Sequence, residues 1–357
     1  MLCGVIGTFA ANYLHREPGF HRFFLLFAMF LMGMIVATFA ATIESLFLGW
    51  ELVGLSSALL VAFFHERVAP VENGLRVWSV YRISDAAFLV AAVALHGAST
   101  QGEFVNLTGS ESWPSGESGL TLGQASFVGL MLIIAAAGKS ALIPFSGWLP
   151  RAMEGPTPSS AVFYGALSVH LGAYLLLRIE SVLDQVWWLS ALLVMLGLGT
   201  TVFATIAGRV QSDIKSALAL ASLTQVGLIA TEIGFGFRYL ALAHIVGHAF
   251  LRTLQLLRAP SLLRDFHGWE HAIGTRISNS AQRLEAFLPS NVSTAVYRWA
   301  IERGYLDRLI DSGIVRPFVG FFQRCDIVER SWIEFLSGRT QGESDQAQLP
   351  FEGIEEL

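Results

Sequence analysis

An all-α polytopic membrane bundle of about nine spans, followed by an amphipathic helical segment, is the fold this sequence predicts. Three observations predict it. The 357 residues are 53% hydrophobic and only 14% charged, whereas soluble domains carry about 25% charged residues. Mean hydropathy is +0.54. Apolar runs recur over 23–41, 86–96, 127–137 and beyond, 161–177 and 187–207, many near the ~20 residues a membrane helix requires.

The elements come in this order. Residues 1–14 are apolar, without a basic n-region or a small-residue cleavage site. They read as a short first helix and not as a signal peptide. His15, Arg16, Glu17, Pro18 and Gly19 form a loop, and so do His65, Glu66, Arg67 and Pro70. A longer polar loop occupies 97–123. Pro150, Pro156 and Pro158 break the chain between two spans, because proline cannot continue the helical ladder. Polar turns lie at 208–213 and 234–238.

The membrane bundle is expected over 1–258. A second segment, 259–340, carries more charge and no long apolar run. Within it Leu306, Leu309, Ile310, Ile314, Phe318, Phe321 and Phe322 recur at helical spacing, an amphipathic pattern suited to a membrane surface or a partner. Residues 341–357 are acidic and polar and are expected to be a disordered tail.

Composition also excludes classes. The net charge of −5 offers no basic surface for nucleic acid. Cys3 and Cys325 lie at opposite ends, too far apart in sequence for a metal motif. They read as two unrelated small apolar residues. No nicotinamide, flavin or iron–sulfur motif occurs, so the chain is expected to hold no cofactor.

Function is read from charges placed where they are expensive. An ionisable residue inside a span costs about 2.5–3.5 kcal/mol on insertion scales. Glu51, Arg82, Asp85, Lys139 and His170 lie in or beside apolar spans, and Lys215 opens another. His244, His248 and Arg252 come at i, i+4 and i+8, one above the other on a helix face. Arg82 and Asp85 are spaced to pair on one helix; structural pairing and a relay role both remain open. His244 and His248 read either as core histidines or as part of a polar path. No acidic or thiol ligand is evident beside them, which disfavours metal.

Of the 23 basic residues only Lys139 and Lys215 are lysines. A bias toward arginine explains the remainder but not where these two fall. A desolvated lysine can release a proton and an arginine cannot. Proton handling is therefore expected of Lys139 and of Lys215. For Lys215 the alternatives are snorkelling and pairing with Asp213. Pro144, five residues after Lys139, frees carbonyls near it, as broken helices lining polar cavities do.

These residues carry a resemblance. Gly49-Trp50-Glu51-Leu52-Val53-Gly54-Leu55, Tyr81-Arg82-Ile83-Ser84-Asp85, Gly138-Lys139-Ser140-Ala141-Leu142-Ile143-Pro144, Trp148-Leu149-Pro150 and Glu154-Gly155-Pro156-Thr157-Pro158-Ser159-Ser160-Ala161 resemble the antiporter-like membrane subunits of respiratory complex I. Among them the resemblance is to subunit L (subunit 5 in organelles), which is related to the Mrp sodium/proton antiporters. It continues through 211–219, Ser222, Gln225 and 244–250, and a weaker echo lies in 302–317.

The resemblance implies that Glu51 pairs with Lys139 in one half-channel and that Asp85 modulates the pair. It implies that Lys215, His244 and His248 belong to a central polar axis. Three departures stand out. The family's histidine after Pro-x-x-Ala is here Tyr164, and His170, six residues later, falls at a different helical angle. The family's central lysine is here Arg252, effectively always protonated. The sequence also reads as a shortened module, beginning about two to three helices late and lacking a second half-channel.

The reading favoured by the sequence is a proton-translocating membrane subunit of an NADH-quinone oxidoreductase-like complex. Quinone, flavin and iron–sulfur clusters would reside only in partner subunits. Other membrane subunits and the lipid bilayer are the expected partners, and the bacterial inner (plasma) membrane the expected location. The alternatives are the membrane subunit of a cation/proton antiporter or of an inorganic-carbon uptake system, and a paralogue that packs but does not conduct.

Overall fold

The computed structural model describes residues 1–98, 113, 116–211, 213–273, 290–310, 312–313 and 316–337. Most of the 97–123 loop and all of the 341–357 tail lie outside these residues, as does Ile314. The described residues form helices and no strand.

The chain opens with the short α1 (Leu2–Tyr13), then α2 (Phe20–Phe39), α3 (Ile43–Val61), α4 (Val68–Ala98) and α5 (Leu122–Lys139). Beyond it the chain is broken: 3₁₀ turns at Phe145–Gly147 and Ala152–Glu154 flank the short α6 (Trp148–Arg151). Next come α7 (Thr157–Ser160), a π turn (Ala161–Ala166), a 3₁₀ turn (Ser168–His170), α8 (Leu171–Arg178) and α9 (Glu180–Gln185). Three long helices complete the membrane part: α10 (Trp187–Gly208), α11 (Ile214–Gly234) and α12 (Arg238–Ile273). Eight helical segments among the described residues are long and apolar enough to cross a membrane, and α1 is a shorter apolar helix. This agrees with about nine spans of which the first is short.

Local chemistry sets the boundaries. Thr42 caps α3, accepting from the Ser45 amide at 3.2 Å. Thr121 and Gln124 form a reciprocal capping box at the start of α5. Asp213 caps α11, accepting from the Ser216 amide at 2.7 Å. Each satisfies an amide that would otherwise be orphaned. One expectation needs correction. Pro70 lies in the first turn of α4 and not in a loop. Proline fits there because the missing amide hydrogen has no intrahelical partner in the first turn.

Helices pack where small residues let backbones approach. A Cβ on Gly49 would lie 2.4 Å from the Ala37 nitrogen and 2.6 Å from the Gly33 carbonyl, so α2 and α3 touch there. Gly197 and Gly227 do the same for α10 and α11: a Cβ on Gly227 would sit 2.7 Å from the Gly197 carbonyl. The 157–178 span is the most enclosed of the candidates, so the broken backbone lies within protein, where irregular backbone at membrane depth is tolerated.

One compact unit comprises residues 1–304, including α13 (Ser290–Ile301), whose Trp299 ring packs edge-on to Phe203 with centroids 5.7 Å apart. The second unit contains α14 (Leu306–Ile310) and α15 (Arg316–Ser337). On α15 Phe321, Val328 and Trp332 are exposed at i, i+7 and i+11, while Arg330 pairs with Asp326 at 3.0 Å. That is an amphipathic helix.

The close α10–α11 contact yields a stability test. Gly227→Val should destabilise the bundle by about 1–3 kcal/mol, read as a lower unfolding midpoint in detergent. Gly123→Ala, with nothing near its Cβ, should leave the midpoint in place. A wild-type midpoint for Gly227→Val would contradict this packing.

Candidate functional site

The first polar cluster joins α3, α4 and α5. Arg82 Nη2 lies 2.6 Å from Glu51 Oε2 and 2.6 Å from Asp85 Oδ2. The guanidinium also stacks 3.9 Å over the Trp78 ring. Trp50, beside Glu51 in sequence, donates from Nε1 to Asp85 Oδ1 at 2.7 Å. Asp85 is 2% exposed, so this paired burial is what makes its charge tolerable. The spacing of Arg82 and Asp85 anticipated their pairing; Arg82 also claims Glu51.

Lys139 terminates α5 and is fully buried. A cation suits this position, because the last turn of a helix presents unsatisfied carbonyls. Its Nζ donates to the Trp50 carbonyl at 2.8 Å and lies 4.3 Å from the Tyr81 ring centroid and 5.0 Å from that of Trp50. Aromatic faces attract a cation without accepting its proton. No carboxylate among the described residues lies in salt-bridge contact with it. The direct Glu51–Lys139 pair that the resemblance implied is replaced by an indirect one. Arg82 holds Glu51, and Trp50 links Asp85 through its indole to Lys139 through its carbonyl. Gly54 makes room for the ammonium: a Cβ there would lie 2.9 Å from Nζ.

After Lys139 the backbone turns sharply. Ala141 adopts φ 56°, a left-handed conformation that non-glycine residues rarely take. The Gly138 carbonyl, released as α5 ends, accepts from Trp148 Nε1 at 3.1 Å. Ser140 Oγ donates to the Val169 carbonyl at 2.7 Å, tying the lysine end of α5 to the residue before His170. The Tyr81 and Ser168 hydroxyls face each other, both buried and neither with a hydrogen-bond partner in full reach.

The π turn at Ala161–Ala166 explains how His170 is used. A π turn adds a residue to the helical repeat and so re-aims the side chains beyond it. Gly165 brings it against α12, where a Cβ would lie 3.3 Å from the Thr253 amide nitrogen. His170 then meets α12: its Nε2 is 2.8 Å from His248 Nδ1. Tyr164 lies on the π turn, but its side chain is outside the described set.

Antiparallel α11 and α12 build the remainder. Ser222, Gln225 and Glu232 lie on one face of α11, and His244, His248 and Arg252 on one face of α12. Ser222 Oγ is 3.3 Å from His248 Nε2, and Gln225 Oε1 is 3.0 Å from His244 Nε2. Glu232 places its oxygens 2.9 and 3.1 Å from His244 Nδ1. The rings of His244 and His248 are 6.4 Å apart between centroids. Arg252, 6% exposed, donates to Gln255 at 2.7 Å. At the other end of α11, Lys215 donates to the Met153 and Gly155 carbonyls at 3.3 and 3.2 Å. Asp213 serves as the cap and does not pair with it.

The structure therefore brings Glu51, Arg82, Asp85 and Lys139 together, joins His170, His248 and His244 into a second group, and sets Lys215 on the broken segment. Sequence reasoning missed Glu232. The available signal was a lone carboxylate in 226–234, twelve residues before His244. An acidic side chain does accompany the histidines, yet no group of three or more potential ligands able to hold a metal ion occurs among the described residues. Beyond the spans, Glu180 of α9 pairs with Arg238 at 3.1 Å. Burial pushes its carboxyl up to about 7, against the opposing pull of Arg238.

Chemically, these are groups that can hold, accept and pass a proton inside an apolar bundle. Gly54→Ala tests the enclosure of Lys139. It should displace the ammonium from the Trp50 carbonyl and slow any proton movement at least tenfold, with the chain still inserted at wild-type level. Unchanged proton movement would show that this placement does not matter.

Comparison with known proteins gives a consistent picture. A family model described as NADH:quinone oxidoreductase/Mrp antiporter, TM, matches residues 40–290. NADH-ubiquinone oxidoreductase chain 5 of Schizophyllum commune is 32% identical over 262 residues, covering 73% of this chain and 37% of its own length. The Felis catus chain 5 is 33% identical over 263 residues, covering 73% and 42%. A chain in the structure of the Mrp complex from Dietzia sp. DQ12-45-1b superposes with a TM-score of 0.63 at 26% identity, over 78% of this chain and 30% of that one. The membrane-bound sulfane sulfur reductase, an archaeal respiratory membrane complex, shares the fold at 21% identity, with a TM-score of 0.58 over 72% and 53%. This chain spans about two fifths of the length of those curated relatives. With the family model covering most of its residues, the chain belongs to the NADH:quinone oxidoreductase/Mrp antiporter transmembrane family, as an integral membrane protein.

Proposed function

We propose that this chain is a proton-translocating membrane subunit of an NADH-quinone oxidoreductase-like complex. The observation that carries the reading is the full burial of Lys139 beside the Glu51–Arg82–Asp85 cluster, with the next residue, Ser140, bonded to the segment that carries His170, inside a bundle where each such charge is expensive. Protons would be held at Glu51 and Asp85, exchanged through Lys139, and passed by way of His170 to His248 and His244. Tyr81, Ser140 and Ser168 line the interval between Lys139 and His170. Hydroxyls can relay a proton with water, and buried ones left unpaired are costly. Arg252, always charged, would set the field at the far end of the axis without passing a proton itself. Lys215, on the carbonyls of the broken segment, would exchange with the α6–α7 side.

Redox chemistry and its cofactors would lie in partner membrane subunits and those attached to them. The proposed location is the bacterial inner membrane. An antiporter subunit is the second reading, favoured by the likeness to a chain of an Mrp complex. Recovery of quinone-oxidoreductase subunits with this chain, in mild detergent, supports the first; recovery of antiporter subunits alone supports the second.

The decisive test is proton movement in native membranes. Glu51→Ala and Lys139→Ala should each abolish the movement that depends on this chain, with its membrane level unchanged. Wild-type proton movement in both would overturn the proposal.

A further inference from the structure

Glu232 has no part in the sequence-based path, yet the geometry gives it a distinct role. It lies in the last turn of α11, which ends at Gly234, and α12 begins at Arg238. Its carboxylate faces His244 Nδ1 with both oxygens, at 2.9 and 3.1 Å. On the other side of the ring Nε2 faces the Gln225 amide oxygen at 3.0 Å. Nδ1–H can donate to the carboxylate, and the Gln225 amide, which offers both a donor and an acceptor, can meet Nε2 in either state of the ring. The side chains of Glu232 and His244 are 19% and 21% exposed. His248, one turn further along α12, is 4% exposed. The histidine group therefore runs from a buried end to a partly exposed one, and Glu232 stands at the partly exposed end, in the last turn of its helix.

That end mixes charge with exposed aromatic rings, Phe235, Phe237 and Tyr239, as helix ends at a membrane–water boundary do. Arg238, in the first turn of α12, pairs with Glu180 and Asp184 of α9. The short 235–237 turn leaves little backbone between this charged cluster and Glu232. A carboxylate so placed can exchange with water while remaining bonded to the buried axis.

We infer that Glu232 is the terminal proton-exchanging group of the histidine axis, connecting His244 to the aqueous face at the α11–α12 turn. In the outward step the Nδ1–H bond of the His244 imidazolium breaks as an O–H bond forms on a Glu232 oxygen. The carboxylic acid then gives that proton to water and returns to carboxylate. His244 regains a proton from the His248 side. The inward step is the reverse, so the assignment does not depend on the direction of flux. The inference rests on the proton-conducting reading above and adds to it where the path meets solvent.

The test uses the full chain in native membranes. Glu232→Gln keeps size and hydrogen bonding but cannot exchange the proton. It should slow chain-dependent proton movement at least tenfold, and Glu232→Asp should restore much of it. Lys139→Ala, measured in parallel, separates the two ideas. Loss in Lys139→Ala with a wild-type rate in Glu232→Gln overturns this inference alone. Wild-type rates in both overturn the reading on which it rests. A second readout guards against misfolding: infrared difference spectra recorded across pH should show a carboxyl band absent from Glu232→Gln. Finding the same bands in the two proteins would also overturn the inference.

Discussion

A primary ammonium enclosed within an apolar bundle is the constraint around which the membrane part is organised. Among the described residues no carboxylate touches Lys139 directly; it is held by one carbonyl and two aromatic faces. Three features make that possible. α5 ends at Lys139, so carbonyls are available there. Gly54 removes the Cβ that would crowd Nζ. Trp50 supplies a carbonyl and a ring to the lysine while its indole nitrogen binds Asp85. A lysine tied directly to Glu51 would be more stable and less able to exchange, because a close opposite charge favours the charged form. Routing the attraction through Trp50 and Arg82 keeps the carboxylates near the lysine without placing either against its ammonium.

The broken segment after α5 serves the same end. Prolines and the π turn interrupt the helical ladder, and protein covers the interruption. This irregularity lets His170 reach His248 from a position that regular helical spacing directs elsewhere. Small residues hold it in place: Gly172 would carry its Cβ 2.3 Å from Ser140 Oγ, and Gly165 packs on α12 at Thr253. Antiparallel α11 and α12 then match polar side chains in pairs, Ser222 with His248 and Gln225 with His244.

How much of this was legible in the sequence depended on the kind of signal. Apolar runs and composition were sufficient for the spans, because bilayer thickness fixes helix length. Charges isolated in apolar runs drew attention to Lys139 and Asp85, and the four-residue spacing placed His244 above His248. The contacts that decide chemistry were less visible. Arg82 taking both carboxylates depends on how α3 and α4 are rotated against each other. The His170–His248 contact depends on a π turn, which has no simple periodic signature. Glu232 was overlooked because a lone acid near the end of an apolar helix resembles an interfacial residue until its partner on the next helix is known. Pro70 was misplaced for the opposite reason, since proline marks both loops and first turns.

The account stands on one contact more than any other, the 2.8 Å approach of His170 to His248, which joins the lysine side to the histidine side. The most direct measurement is proton movement in native membranes carrying His170→Leu, with chain level and unfolding midpoint recorded alongside. The account predicts a fall of at least tenfold with insertion and stability near wild type, and partial recovery with His170→Lys. Wild-type proton movement in His170→Leu would contradict it, and the two polar groups would then be separate structural devices with no proton passing between them.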